Sequence, residues 1–97
     1  MKQYVIMTIG FTEPTEEIMT AWKHWFKSIE KNIVDQVGLR NGKEVTPSGG
    51  PDDLPLDESA ITGYLIINAK DDAEAELIAQ SCPMVTSTRV YEVMKQK

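Results

Sequence analysis

Apolar residues fall into two kinds of period along this chain. Residues 2–11 alternate: Tyr4, Ile6 and Thr8 share one face of an extended segment, and Val5, Met7, Ile9 and Phe11 share the other. Ile18, Trp22, Trp25, Ile29 and Ile33 then recur at helical spacing, with Met19 and Phe26 widening the stripe. Pro14 suits the first turn of that helix, and Glu16 and Glu17 complement its positive end. The stripe predicts a helix ending between Asn32 and Asp35. Lys23, Lys27 and Lys31 form a separate row that reads as a solvated face.

The middle of the chain carries less pattern. Asn41-Gly42 is a turn signal, and Lys43 to Thr46 is the predicted second strand. Residues 47–59 hold Gly49, Gly50, Pro51 and Pro55 without a period. So long a connection reads as a lid, a binding loop or an unstructured segment.

The last third is sharper. Residues 60–69 form an apolar strand with Ile61, Leu65 and Ile67 on one face and Tyr64 and Ile66 on the other. Asp71 and Glu74 have capping-box spacing at the start of a second helix, which Pro83 stops. Residues 87–94 form the closing strand, with Val90 and Met94 opposite Tyr91 and Val93.

The order is β-α-β-β-α-β. Right-handed crossovers place both helices on one face of an antiparallel sheet, which is the ferredoxin-like α+β arrangement. Two helices cover only one face, yet the strands carry apolar residues on both. An antiparallel sheet open to water alternates apolar and polar instead. Tyr4, Ile6, Tyr64, Ile66, Val90 and Met94, or their opposite numbers, are left uncovered. That predicts a homodimer, sheet face against sheet face.

Composition narrows the function classes. Ninety-seven residues make a single domain spanning 1–97, too short to bury more than about 60–70% of its unfolded surface. A net charge of −5 argues against nucleic acid and against anionic membrane surfaces. No apolar run reaches the roughly 18–20 residues of a membrane span. The run from Val5 to Phe11 is broken by Thr8 and Gly10 and leads into Thr-Glu-Pro-Thr-Glu-Glu, so it reads as a strand rather than a signal peptide, and the cytoplasm is expected. A single cysteine excludes an internal disulfide.

Three segments together resemble the YCII-related (DGPF-like) family of dimeric α+β barrel proteins. They are P-x-E-x-I-M-x-A-W-x-x-W-F at 14–26, I-T-G-Y-L-I-I-N-A-x-D-x-x-E-A-x-x-I-A-x-x-C-P at 61–83, and R-V-Y-E-V-M at 89–94. The resemblance covers nearly the whole chain and is weakest over 38–59. It implies a protomer that dimerises into a barrel and holds a cleft between the first helix and the sheet. It also implies activities on small aromatic, chlorinated or lactone-like compounds. Many members carry a histidine on the first helix, paired with an aspartate as an acid–base couple. Here that position is Trp22, and the Asp-Gly-Pro-Phe tetrad is absent.

The candidate chemistry is correspondingly thin. Trp22 and Trp25, with Tyr64 and Asn68 as polar contacts, are the candidate ligand pocket; core packing is the plainer role for the tryptophans. His24 is the only histidine and the alternative catalytic residue, but it sits about 140° around the helix from the apolar stripe. Cys82 ends the second helix, where a thiolate is disfavoured. Asp52, Asp53, Asp57 and Glu58 are spread over a Gly/Pro loop and read as solvated rather than metal-binding. Gly49-Gly50 lacks the phosphate-loop pattern, and Gly63-Tyr64-Leu65-Ile66 lacks the basic residue and paired aromatics of an RNA-binding strand. The expectation is a small apolar or aromatic ligand, no cofactor, no metal and no acid–base catalysis. The alternative is a small isomerase, lyase or oxygenase-type enzyme.

Overall fold

A computed structural model describes residues 1–94. Strands β1 (Lys2–Ile9), β2 (Ile33–Gly38), β5 (Ile61–Ala69) and β6 (Ser87–Glu92) form a sheet in the order β2-β5-β1-β6. Each neighbouring pair runs antiparallel. Helices α1 (Glu16–Ser28) and α2 (Asp72–Gln80) connect them, and a separate two-stranded hairpin, β3 (Lys43–Thr46) and β4 (Gly49–Asp53), is inserted between β2 and β5. The core is therefore the expected ferredoxin-like β-α-β-β-α-β unit. No helix among the described residues is long and apolar enough to cross a membrane.

Local chemistry explains the helix starts. Thr15 caps α1 by accepting the Ile18 N–H at 3.2 Å. Pro14 thus lies just outside the helix rather than in its first turn. Asp71 caps α2 by accepting the Glu74 N–H at 2.9 Å, and the Glu74 carboxylate reaches back to the Lys70 N–H at 3.1 Å.

The end of α1 differs from the prediction. The helix stops at Ser28, whose Oγ donates to the Trp25 carbonyl at 2.7 Å. Asn32 then exchanges two bonds with Asn68: the Asn68 N–H donates to the Asn32 carbonyl at 2.7 Å, and the Asn32 side-chain amide donates to the Asn68 carbonyl at 2.9 Å. These bonds carry the chain into the sheet beside β5, so Ile33 opens β2 instead of closing the helical stripe. The second strand of the main sheet is 33–38, while 43–46 belongs to the separate hairpin. The connection at 47–59 is partly strand, since β4 occupies Gly49–Asp53 of it.

Register settles which face is covered. Tyr4 pairs with Ile67, and Ile6 with both Leu65 and Val90. These side chains meet Trp25, Ile29, Ala75, Ala79 and Cys82 in the core. Ile6 and Ile67 are wholly buried, and Tyr4 nearly so. Tyr4, Ile6 and Val90 thus lie on the helix face, whereas Val5, Met7, Tyr64, Ile66 and Tyr91 lie on the other. Met94 falls beyond β6 and is exposed.

The two helices sit at different heights. α2 presents Ala75 and Ala79, both buried, and lies close against β5 and β6. α1 presents Trp22, Trp25 and Phe26 and stands further off. Side-chain size sets that spacing.

Ile67→Ala should lower the unfolding free energy by about 2–5 kcal/mol, because its whole side chain is buried at the centre of the sheet. Urea denaturation checks this; a midpoint matching the parent would show that the core is not centred there.

Candidate functional site

Because α1 stands off the sheet, a cleft of about 210 Å³ opens beneath it towards the β2 edge. Trp22 and Phe26, one turn apart, form its aromatic wall, with ring centroids 5.7 Å apart and planes tilted by 33°. The floor is Leu65 with Gly63 and Gly38. A Cβ at Gly63 would meet the Val37 carbonyl oxygen at 2.8 Å, so only glycine allows β2 and β5 to approach there.

Polar groups enter through an irregularity in the ladder. The register steps from Thr8↔Gly63 to Ile9↔Ile61, leaving Thr62 as an extra residue. Such a bulge re-aims its side chain. Here it brings the Thr62 hydroxyl within 3.0 Å of the Thr8 hydroxyl. Thr8 Oγ1 also donates to the Gly63 carbonyl at 3.3 Å. Gln36 lines the same cleft. The arrangement offers a flat aromatic surface, two hydroxyls and one primary amide. It can hold and orient a planar molecule.

The four predicted pocket residues do not all meet. Trp22 lines the cleft as expected. Tyr64 borders it, but its pairing with Met7 and Val37 turns the ring to the opposite face of the sheet, so only backbone reaches the cleft. Trp25 is a core residue: its indole N–H is shared between Ser81 Oγ at 2.9 Å and the Ile78 carbonyl at 3.3 Å, tying α1 to α2. Asn68 lies five residues along β5 from Gly63, roughly 17 Å away, with its backbone committed to Asn32. Nothing in the hydrophobic pattern marks Thr8, Thr62 and Gln36 as cleft residues. The Thr62-Gly63 pair inside a strand was the available signal, since a glycine there marks a bulge or a close approach.

Groups capable of proton transfer lie elsewhere. His24 is exposed on the outer surface of α1. A depression of about 460 Å³ lies there against Glu16, Glu17, Thr20, Ala21 and His24. One helix alone walls it, so it cannot enclose a ligand. A second cleft of about 370 Å³ lies beneath α2, between Tyr4, Asp72, Glu76, Val90 and Glu92. The Tyr4 hydroxyl donates to Asp72 Oδ1 at 2.7 Å. That bond, then burial, then the negative charge of Asp72 hold the phenol above its ordinary pKa. Tyr4 therefore stays protonated and ties β1 to α2.

Asp52 and Asp53 lie in the hairpin. Asp57 accepts from the Ser59 N–H at 2.9 Å and from the Ser59 hydroxyl at 2.6 Å, and those bonds lower its pKa. Among the described residues no three metal-ligating side chains converge.

No protein-family model and no curated protein matches the chain. Among solved structures, it is similar in fold to 5-chloro-2-hydroxyhydroquinone dehydrochlorinase from Burkholderia phenoliruptrix AC1100, in complex with 2,5-dihydroxybenzoquinone. The TM-score is 0.57 at 14% identity, over 97% of this chain and 95% of that one.

Cys82 is buried, and burial pushes its thiol up to about 12. Iodoacetamide at neutral pH should label it far more slowly than a free-thiol standard. Mass spectrometry of the native protein gives the rate, and labelling faster than the standard would contradict the buried placement.

Proposed function

We propose that the protein binds a small, flat aromatic molecule bearing hydroxyl or carbonyl oxygens in the cleft under α1, without acid–base turnover. One observation carries this reading. The cleft joins the Trp22–Phe26 wall to the Thr8–Thr62 hydroxyl pair, and among the described residues no histidine, carboxylate, thiol or amine lines it. Stacking on the indole supplies apolar contact, and the hydroxyls fix the orientation of ligand oxygens. A volume of about 210 Å³ suits one ring with its substituents. The similar fold that holds 2,5-dihydroxybenzoquinone supports this ligand class. The resemblance to the YCII-related family, with tryptophan at its helix histidine position, supports binding over turnover.

A second reading is a small enzyme acting on an aromatic or lactone-like compound. It is favoured by the similar structure being a dehydrochlorinase. Such a reaction needs a proton donor or acceptor at the ligand, and His24 on the outer face of α1 would have to supply it.

The test is calorimetric titration with single-ring phenols and quinones, 2,5-dihydroxybenzoquinone included. Trp22→Ala should weaken binding at least tenfold, and His24→Ala should leave it unchanged. If a screen finds turnover and His24→Ala abolishes it with the fold intact, the enzyme reading replaces this one.

The protein is further read as a homodimer through the uncovered sheet face. Val5, Met7, Val37, Ile66 and Tyr91 form an apolar surface there, and Tyr91 is 56% exposed. Light scattering at micromolar concentration should give twice the chain mass of 10.9 kDa. A species at the single-chain mass would sink this reading.

A further inference from the structure

The hairpin at 43–53 is the one part of the fold that neither the core nor the cleft explains. Its two strands form a sheet of their own, and every residue in them is exposed. The Leu54 N–H donates to the Gly42 carbonyl at 2.9 Å and closes the base, so the hairpin leaves the body as an arm. The radius of gyration is 14.7 Å, against about 12.5 Å for a compact chain of this length. A lone two-stranded hairpin is marginal in water at best. This one is nonetheless built with care. Gly50 has φ +102°, and a Cβ there would meet the Glu44 carbonyl oxygen at 2.8 Å. The arm also carries apolar residues into solvent. Val45 is 71% exposed, and Leu54 and Leu56 just beyond β4 are 48% and 57% exposed.

We infer that the arm is a clasp that closes over a second copy of this chain, an inference that rests on the sheet-to-sheet dimer proposed above. Three observations single out that occupant. The first is continuity. The arm begins a few residues after Val37, which lies on the uncovered face, and Leu39, whose N–H bonds the Thr62 carbonyl at the edge of the main sheet. The second is area. Four strands at about 4.8 Å spacing and six residues at about 3.3 Å cover about 400 Å² in projection. A stable complex takes roughly 800 Å² from each partner. Side-chain relief narrows that gap, but the sheet face alone stays at the low end, and an arm wrapping the partner supplies the remainder. The third is charge. Glu44 and Asp52 stand directly opposite each other across the hairpin and make no ion pair among the described residues. Like charges opposed across a ladder destabilise it. The uncovered sheet face presents Arg89, exposed and in register with Met7. A partner's arm wrapped along the β6 edge of that face brings the carboxylates to the cation.

Sedimentation equilibrium on three variants of the full chain tests the clasp. In the first, residues 43–53 are replaced by a two-residue turn joining Gly42 to Leu54, which are already hydrogen-bonded. The second is Val45→Glu, a change at an exposed position that leaves the fold intact. The third is Tyr91→Glu on the sheet face. The parent should be dimeric, and each variant should raise the dimer dissociation constant at least tenfold with unchanged far-UV circular dichroism. If the shortened chain does not fold, Val45→Glu decides. A Val45→Glu or shortened protein that dimerises as tightly as the parent, while Tyr91→Glu does not, overturns the clasp and keeps the sheet interface. A monomeric parent overturns both.

Discussion

The difference in bulk between the two helix faces governs this structure. Ala75 and Ala79 let α2 settle on the sheet, while Trp22, Trp25 and Phe26 prop α1 away from it. Interiors pack to a nearly constant density, so side chains that fill one end of such a gap leave room at the other only where the floor is small. Gly38 and Gly63 supply that small floor. The cleft is thus a by-product of three aromatics on one side and two glycines on the other. Trp25 makes the spacing rigid, because its indole N–H is held by Ser81 and Ile78 of the neighbouring helix region.

The same two-layer construction leaves half of the sheet without cover. The molecule is a plate, with extents of 43 × 41 × 18 Å. Its apolar residues divide between a sealed face, where Tyr4, Ile6 and Ile67 lie buried, and a face that ends in water. A chain of this size buries only a limited core by itself. Cleft and uncovered face lie on opposite sides of the same strands, so Leu65 floors the cleft while Tyr64 and Ile66 face outward.

Legibility in the sequence followed the strength of local signals. β1, β5, α2 and β6 declare themselves through alternation, the Asp71–Glu74 capping pair and Pro83. β2 was hidden because Ile33 happens to extend the α1 stripe by one more turn, and the helix ends at Ser28 without a glycine or proline. The force that ends it is tertiary: the paired bonds between Asn32 and Asn68. No window of sequence contains a contact between residues 36 apart. The cleft was half legible for a related reason. Trp22 follows from the helical period, but the Thr8–Thr62 pair depends on a register slip between two strands 54 residues apart. The Tyr64 ring is a different case, because alternation alone sets it opposite Leu65 and Ile67; the position of Asn68 along β5 is what the pattern hides. Strand alternation assigns faces but not positions along the sheet, and the bulge at Thr62 decides which end of β5 borders the cavity.

Ionisable groups and the aromatic cleft are kept apart in this fold. The Tyr4–Asp72 bond, with Glu76 and Glu92 nearby, lies beneath α2, while the aromatic cleft lies beneath α1. Thr8 stands four residues along β1 from Tyr4, roughly 13 Å away, and the buried Ile6 and Leu65 pair lies between them. A proton on the Tyr4 phenol is also held tightly, since its carboxylate partner would be left facing a second negative charge if it departed. Among the described residues, the lining under α1 therefore consists of groups that donate and accept hydrogen bonds without exchanging protons. On the proposed reading, affinity rests on the match between a flat ring and the Trp22–Phe26 wall, and selectivity on whether the ligand's oxygens reach the two threonine hydroxyls. Proton transfer at a ligand in this cleft would require a titratable side chain on its wall, and positions 22 and 26 are the α1 positions that face the cavity.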